Sequence, residues 1–231
     1  MTLVLNSSEI KKCVHLNGQL IPIIEDAFKS LSLGNTVMPP ILRLDIEKYH
    51  GESDVKAAYI EGLDSFAVKV ASGFFDNPKL GLPSSNGLMI LLDSKTGVIK
   101  SVLLDKGYLT DVRTAIAGAI ASKYLSNSNS STVAIVGAGI QARMQLEALT
   151  LVRDIKNVNV WSRDIKKAHA YIENVGKNIN FNFQAFDNIN EVVKTADILI
   201  TATPSKKPLI DFSALPKGIH ITAMGSDAEE K

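Results

Sequence analysis

The segment from Val136 to Ala142 reads VGAGIQA, follows a short apolar stretch and opens a helical pattern. Its spacing fits G-x-G-x-x-A, the turn that binds the pyrophosphate of a dinucleotide between a strand and a helix. Gly137 would permit the tight turn, Gly139 would let the backbone approach the phosphates, and Ala142 would let helix and strand pack closely. Free N–H groups at the helix N-terminus would then bind the phosphates. The alternative is a glycine turn that serves packing alone.

The residues after the next strand bear on the choice between NAD and NADP. An NAD site of this type usually has an acidic residue about 20 positions further on, where it binds the ribose hydroxyl. Ser162 and Arg163 stand there instead, and a hydroxyl beside a guanidinium suits a 2′-phosphate. The cofactor is therefore expected to be NAD or NADP, and this pair of residues favours NADP. The alternative is that Arg163 is solvated or stacks on adenine, while Asp164 is expected to cap the following helix.

Two later strand ends carry polar residues that parallel pairing would bring to the same edge of a sheet. The sequence Thr201-Ala-Thr-Pro-Ser205 ends one strand, and Ala223-Met-Gly-Ser-Asp227 ends another. Nucleotides bind outside the carboxyl ends of such strands, so Thr203 could contact the ribose or the nicotinamide, and the Asp227 carboxylate would face the crevice. The alternatives are an ordinary loop for the first segment and a helix cap for the second.

Three cations in the first half of the chain are candidates for binding an anionic substrate. Arg43 follows a Pro-Pro segment, Lys69 lies in an apolar run, and Arg113 lies near the start of an alanine-rich helix. The alternatives are a solvated Lys69 and an Arg113 that pairs with Asp105 or Asp111. The four histidines are scattered without ligand spacing, so no metal site is expected.

The pattern of predicted helices and strands changes at residues 126–131, a run of small polar residues that predicts a linker. Before it, helical spacing covers Glu9–Leu33, four strands are predicted at 55–60, 66–71, 87–93 and 98–104, and a helix follows at 108–125. We expect Thr110 to cap that last helix, which would place Arg113 in its first turn, where a cation is disfavoured unless it binds an anion. After the linker, five strands alternate with helices, which is typical of a parallel sheet.

The predicted fold class is therefore α/β with two domains. Residues 1–127 are expected to form an α+β substrate-binding and dimerisation domain, and residues 128–231 a Rossmann-type, doubly wound NAD(P)-binding domain. A sheet of that type usually has six strands. Because only five can be placed, this domain is expected to be truncated at its C-terminal end.

Composition excludes several other classes of protein. The 231 residues include 25 Lys and Arg and 24 Asp and Glu, for a net charge of +1, so no nucleic-acid partner is expected. No apolar run is long enough to span a membrane, and no secretory signal is apparent. The single cysteine, Cys13, cannot form an internal disulfide, which favours a cytoplasmic protein.

Together these segments resemble the ornithine cyclodeaminase/mu-crystallin family over essentially the whole chain. The segments that carry the resemblance occur in the family's order and spacing, and they are Met38-Pro-Pro, Ala67-Val-Lys69, Gly81-Leu-Pro-Ser, Leu109-Thr-Asp-Val-Arg-Thr-Ala115, Val136–Ala142 and Met224-Gly-Ser-Asp227. The segments Phe74–Pro83 and Ala223–Glu229 look most like the ectoine-utilization branch of cyclodeaminase-like proteins. One departure is that Arg43 stands two residues later than the arginine that often directly follows the Pro-Pro pair.

The resemblance implies a role for each matching residue. It implies that Arg43, Lys69 and Arg113 hold a substrate α-carboxylate, that Ser84 lies near the substrate, and that Asp227 and Lys69 are catalytic, with Asp227 the acid/base. The implied cofactor-binding residues are Thr114, Gly137, Gly139, Ile140, Gln141, Ala142, Ser162, Arg163, Thr203, Met224 and Ser226.

The resemblance also implies the activity and the partners. A small diamino acid such as ornithine would be converted to a cyclic imino acid such as proline, with release of ammonia and transient hydride transfer to NAD(P). The alternatives are an alanine-type dehydrogenase or ketimine reductase, a non-enzymatic ligand-binding protein like the mu-crystallins, and an inert fragment. The expected partners are the amino-acid substrate and a second copy that contacts the N-terminal domain.

Overall fold

The computed structural model describes residues 1–177 and 181–226, and the chain divides into two compact units. The first unit comprises residues 1–15 and 22–112, and the second comprises residues 16–21 and 113 onward. The helix α3, Tyr108–Leu125, contributes to both units. The predicted division into domains 1–127 and 128–231 stays a prediction.

The first unit contains a seven-stranded sheet with two helices. Its strands are β1 (Leu3–Asn6), β2 (Thr36–Val37), β3 (Leu42–Ile46), β4 (Gly51–Ile60), β5 (Ser65–Phe74), β6 (Ser85–Asp93) and β7 (Ile99–Leu104), and its helices are α1 (Ser7–Cys13) and α2 (Leu20–Ser32). The strand order is β1-β7-β6-β5-β4-β2, with β3 also paired to β4. All of these pairs are antiparallel except β1 with β7. The four strands predicted in this half are confirmed as β4 to β7, of which the first three are longer than predicted and β7 is one residue shorter.

A polar turn joins β6 to β7. The Asp93 carboxylate accepts hydrogen bonds from the backbone N–H groups of Lys95 and Thr96, at 3.1 and 3.0 Å, and from the Thr96 hydroxyl. These bonds hold the pKa of Asp93 below its ordinary value, with the Thr96 hydroxyl as the main cause. The hairpin at residues 93–97 is therefore fixed by its own side chains.

Two expectations about helices in the first half of the chain are wrong. The segment Glu9–Leu33, which has helical spacing throughout, does not form one helix. The chain turns at Asn17 and Gly18, where the Asn17 side chain accepts a hydrogen bond from the Gln19 N–H at 2.9 Å. Thr110 does not cap α3. The helix begins two residues earlier, and the buried Asp105 carboxylate accepts a hydrogen bond from the Leu109 N–H at 2.7 Å.

The second unit is a parallel sheet with helices on both faces, which confirms the predicted fold class. Its elements are β8 (Thr132–Val136), α4 (Ile140–Leu149), β9 (Asn157–Trp161), α5 (Ile165–Gly176), β10 (Asn182–Phe186), α6 (Ile189–Val192), β11 (Ile198–Thr201) and β12 (His220–Ala223). The strand order β10-β9-β8-β11-β12 is that of a doubly wound sheet with its first strand at the centre. All four strand pairs are parallel.

The core of the second unit explains why β8 and β11 read as nearly continuous apolar runs. One cluster packs β8 and β9 against α4 and α5 and includes the fully buried Val133, Ile135 and Leu146. A second cluster lies on the other face and includes Ala134 and Val136. Strands buried on both faces have no polar alternation.

The buried face of α4 differs from the one that apolar spacing along the helix indicates. Ile140, Met144, Ala148 and Leu151 recur at helical spacing, yet Ile140 is 55% exposed and Leu151 is 38% exposed. The buried face is broader and includes Ala142, Leu146 and Leu149.

Within residues 1–177 and 181–226, the structure contains no helix with the length and apolar character that a membrane span requires.

Candidate functional site

The turn between β8 and α4 has the geometry that a pyrophosphate needs. Gly137 has φ +128°, and a Cβ there would overlap the Ala202 carbonyl oxygen, so only glycine fits. Gly139 begins α4 without any side-chain cap, and a Cβ there would meet open space. The helix N-terminus therefore presents uncapped N–H groups beside room for a ligand, which is an anion-binding arrangement.

The ends of three strands are bonded together around this turn. The Ala202 N–H donates to the Val136 carbonyl at 2.8 Å, which joins β11 to β8, and the Met224 N–H donates to the Thr201 carbonyl at 2.9 Å, which joins β12 to β11. A Cβ on Gly225 would overlap the Thr203 carbonyl oxygen. Thr203, Met224 and Ser226 thus lie at the same edge of the sheet as the glycine turn. Asp227 lies outside the described residues.

The end of β9 contributes to the same edge. The Gly137 N–H donates to the Trp161 carbonyl at 2.9 Å, so Ser162 and Arg163 follow a strand that is bonded directly to the glycine turn. Ser162 is half-buried and Arg163 is exposed. Asp164 caps α5 as predicted, because its carboxylate accepts a hydrogen bond from the Lys166 N–H at 3.0 Å. Arg163 makes no ion pair with another described residue, so its charge is available to a ligand.

A buried amide links α4 to α3, and the sequence interpretation missed it. Gln145 is 1% exposed, and its Nε2 donates to the Thr114 carbonyl at 3.0 Å and lies 3.4 Å from Gln141 Oε1. A Cβ on Gly118 would overlap Gln145 Oε1. The available signal was a second glutamine one helical turn after Gln141, on the face of α4 that turns towards the core.

Arg113 lies in the second turn of α3, next to Thr114. Its side chain is exposed at the surface but crowded by protein atoms, and this desolvation lowers the pKa of Arg113. It makes no ion pair with another described residue, so the alternative pairing with Asp105 or Asp111 is not seen. Asp105 instead caps the helix. An arginine with this environment is suited to binding an anion.

The other two predicted cations lie in the first unit and differ in their partners. Arg43 donates to the Asp45 carboxylate at 3.0 Å and to the Glu52 carboxylate at 2.6 Å, and it lies 3.9 Å from Asp54. The hydrogen bond to Asp45, followed by the charge of Glu52, raises the pKa of Arg43. A substrate carboxylate at Arg43 would therefore have to compete with acidic residues that already neutralise it.

Lys69 and Ser84 lie on or next to the sheet of the first unit. Lys69 is half-buried in the middle of β5, directly opposite Lys56 of β4 and Met89 of β6. Ser84 is half-buried just before β6, and its carbonyl accepts a hydrogen bond from the Phe74 N–H at 2.8 Å. The roles of all these site residues remain predictions. No cluster of His, Cys, Asp or Glu that could hold a metal ion occurs within residues 1–177 and 181–226.

Comparisons with known proteins agree with the resemblance. The model of the ornithine cyclodeaminase/mu-crystallin family matches residues 1–231. An uncharacterized cyclodeaminase of Sinorhizobium fredii is 51% identical over 229 residues, which cover 99% of this chain and 69% of that protein. The alanine dehydrogenase of Archaeoglobus fulgidus is 34% identical over 233 residues, which cover 100% of this chain and 69% of that protein.

A solved structure agrees with the fold as well. The Δ(1)-pyrroline-2-carboxylate reductase of Thermococcus litoralis, in complex with NADH and L-proline, superposes with a TM-score of 0.90 at 32% identity. The match covers 95% of this chain and 68% of that one.

Proposed function

The chain belongs to the ornithine cyclodeaminase/mu-crystallin family, and we propose that it is an NAD(P)-dependent enzyme that acts at the α-carbon of a small amino acid. The observation that carries this proposal is the glycine turn at 137–139, with open space at Gly139 and an uncapped α4 N-terminus. The structure of a relative with NADH and proline supports both the cofactor class and the substrate class. A bound nicotinamide would supply a hydride acceptor and donor.

The residues of this chain would bind the nucleotide as follows. The backbone N–H groups of Ile140, Gln141 and Ala142 would hold the pyrophosphate at the helix N-terminus. Thr203, Met224 and Ser226 would border the ribose and the nicotinamide. Thr114 would be a further cofactor-binding residue. Ser162 and Arg163 would face the adenosine ribose. We propose NADP as the preferred form, because Arg163 is exposed and no acidic residue stands in its place.

Lys69 and Arg113 would bind the α-carboxylate of the substrate and so fix the orientation of its Cα–H bond. This is catalysis by positioning. Arg43 would assist only where it can exchange one of its acidic partners for the substrate. Asp227 would accept the proton of the attacking side-chain amine.

We propose that the complete reaction is a cyclodeamination. The α-carbon would reach the imine level by loss of hydride to NAD(P)+, and the side-chain amine of the diamino acid would then add to it. Ammonia would leave, and the same hydride would return to the ring imine. Ornithine would give proline and ammonia without net redox change. The cyclodeaminase name of the relative at 51% identity supports this choice.

A dehydrogenase or ketimine reductase is the second candidate. The same bound carboxylate and the same hydride step would serve alanine or a cyclic imine. The names of relatives above 30% identity, an alanine dehydrogenase and a pyrroline-carboxylate reductase, favour this candidate specifically.

The two candidates separate in one assay. The protein is incubated with each cofactor and a panel of ornithine, 2,4-diaminobutyrate, lysine and alanine, and ammonia and absorbance at 340 nm are read in parallel. Ammonia without net reduced cofactor is expected. Net reduced cofactor with alanine, or its consumption with a cyclic imine, would favour the second candidate. Nucleotide binding without turnover of any compound would indicate a binding protein.

A variant tests the proposed acid/base residue. Asp227→Asn is expected to abolish turnover while nucleotide affinity stays near the wild-type value, because the amide cannot accept the proton. Normal turnover by this variant would contradict the role.

The proposed protein partner is a second copy of the chain, which would contact the sheet of the first unit. Leu42, Leu44 and Ile46 of β3 share one face and are 54%, 57% and 37% exposed. The register continues this face through Val55 and further apolar residues of β5 and β6. An apolar surface of this kind usually marks an interaction site. Cytoplasmic location and a role in ectoine utilization stay predictions.

A further inference from the structure

Gln145 is a buried amide whose neighbours along α4 are apolar. It is 1% exposed and lies in α4 between the buried Met144 and Leu146. Burying an amide is unfavourable unless its polar atoms are bonded, whereas a leucine of similar volume needs no partner. The presence of an amide here therefore calls for a role beyond packing.

The bonds of Gln145 reach both of the helices that carry predicted site residues in the second unit. Its Nε2 donates to the Thr114 carbonyl of α3 at 3.0 Å and lies 3.4 Å from Oε1 of Gln141, in the first turn of α4. Thr114 directly follows Arg113, and Gln141 belongs to the glycine-rich turn. One side chain thus spans the distance between the predicted phosphate-binding turn and the predicted carboxylate-binding arginine.

Gly118 provides the space that this amide occupies. A Cβ at Gly118 would overlap Gln145 Oε1 and would come within 3.0 Å of its Cδ and 3.2 Å of its Nε2. Glycine within a helix is unfavourable relative to alanine, so its presence in the middle of α3 also calls for a reason. The pair of Gly118 and Gln145 gives one: the glycine admits the amide to the backbone of α3.

We propose that Gln145 is a positioning residue, which fixes the α4 N-terminus relative to Arg113 and Thr114 so that nucleotide and amino acid meet in a reactive geometry. This inference rests on the proposed function. Displacements of about 1 Å in such a site can reduce the rate by about 100-fold, so loss of the amide bonds would have a large effect without unfolding the protein.

Two variants disturb the amide in different ways. Gln145→Leu removes it and keeps the volume. Gly118→Ala leaves it in place but pushes it off its bonds, and because Oε1 is the end of a flexible side chain and alanine favours a helix, the Tm should change little. Both variants are expected to raise the Kd for NADH or NADPH by about fivefold or more and to lower kcat further. The Kd is measured by fluorescence titration and kcat by the 340 nm assay.

A double variant separates positioning from packing. Gly118→Ala combined with Gln145→Ala relieves the overlap but cannot restore the bonds to Thr114 and Gln141. Positioning predicts that the Kd stays raised although the overlap is gone. Gln184→Leu, which changes an exposed glutamine of β10 in the same way, is the control and should bind nucleotide like the wild type.

The outcomes distinguish this inference from the proposed function. Wild-type affinity in Gln145→Leu and Gly118→Ala, or full recovery of binding in the double variant, would overturn the positioning role alone. Absence of saturable nucleotide binding by the wild-type protein would overturn the proposed function together with it.

Discussion

At the scale of single residues, the neighbours of a charged side chain decide whether it can bind a ligand, more than its residue type does. Arg43 and Arg113 are both arginines that the family resemblance assigns to a carboxylate. Arg43 is surrounded by three acidic residues, whereas Arg113 makes no ion pair with another described residue. The sequence shows both arginines but cannot show that Glu52 and Asp54 of the neighbouring strand lie beside the first. Arg113 is therefore the stronger candidate.

Arg163 provides a prediction about cofactor choice. Arg163→Ala should raise the Kd for NADPH by about tenfold and change the Kd for NADH much less, because only NADPH has a 2′-phosphate for the guanidinium to bind. Fluorescence titrations with both nucleotides measure this difference. Lys177→Ala, which removes an exposed cation at the other end of α5, is the matched control. An equal loss of affinity for both nucleotides would mean that Arg163 contacts a part they share.

His220 provides a prediction about pH. Burial, and to a smaller extent the nearby Arg153 cation, lowers the pKa of His220 below its ordinary value of 6.5. Above that pH the folded and unfolded states are both neutral here, so the group has no effect. As the pH falls below 6.5, the unfolded state binds the proton more readily, and the free energy of unfolding decreases.

The Tm of the wild type should therefore fall more between pH 7.5 and pH 5.5 than the Tm of His220→Gln. Thermal melts at both pH values measure the difference. His169→Gln, a change at an exposed histidine of the same unit, should behave like the wild type. A parallel pH dependence in wild type and His220→Gln would contradict the assignment.

At the scale of elements, α3 is stabilised at both ends by residues outside the helix. Asp105 caps its start, and the Arg153 guanidinium donates to the carbonyls of Ser122, Lys123 and Ser126 at its end, at 2.9 to 3.0 Å. A cation at the C-terminus also complements the helix dipole. The second of these contacts could not be predicted from local spacing, because Arg153 follows α3 by more than 25 residues.

Arg153→Met should lower the free energy of unfolding by about 2 kcal/mol, because it removes several charge-assisted bonds and keeps the length of the side chain. The corresponding fall in Tm is about 4–8 °C for a chain of this size. Thermal melts measure it, with Arg153→Lys as the control, which keeps the charge and should lose less. Unchanged stability in Arg153→Met would show that water satisfies these carbonyls equally well.

The elements that the sequence predicts well are those with strong local signals. The alternating strands and helices after residue 131 and the Asp164 cap follow directly from apolar runs and capping residues. The break in the first predicted helix was missed although Asn17-Gly18 is a common turn sequence. Gln145 was missed because a buried amide differs from a solvated one only through its neighbours.

At the scale of the whole molecule, the two units differ in how they bury apolar side chains. In the second unit, clusters of buried residues lie on both faces of the sheet. In the first unit, the apolar rows of β3 to β7 stay half-buried or exposed. Such a sheet gains stability when a partner covers it.

Leu44→Asp should therefore weaken self-association, because it places a charge on the exposed apolar face of β3. Size-exclusion chromatography with light scattering measures the molar mass. A dimer is expected for the wild type and a larger share of monomer for the variant. Leu151→Asp, the same change at an exposed leucine of the second unit, should leave the mass unchanged. A monomeric wild-type protein would contradict the proposed second copy.

The central claim is that a nucleotide held at the 137–142 turn exchanges hydride with the α-carbon of an amino acid. Single-turnover stopped-flow absorbance at 340 nm tests it most directly, because it also detects reduced cofactor that forms and disappears within one turnover. A transient rise is expected with at least one amino acid of the panel, or a fall when a cyclic imine is mixed with the protein and reduced cofactor. A flat trace with every compound, in a protein that binds the nucleotide, would contradict it.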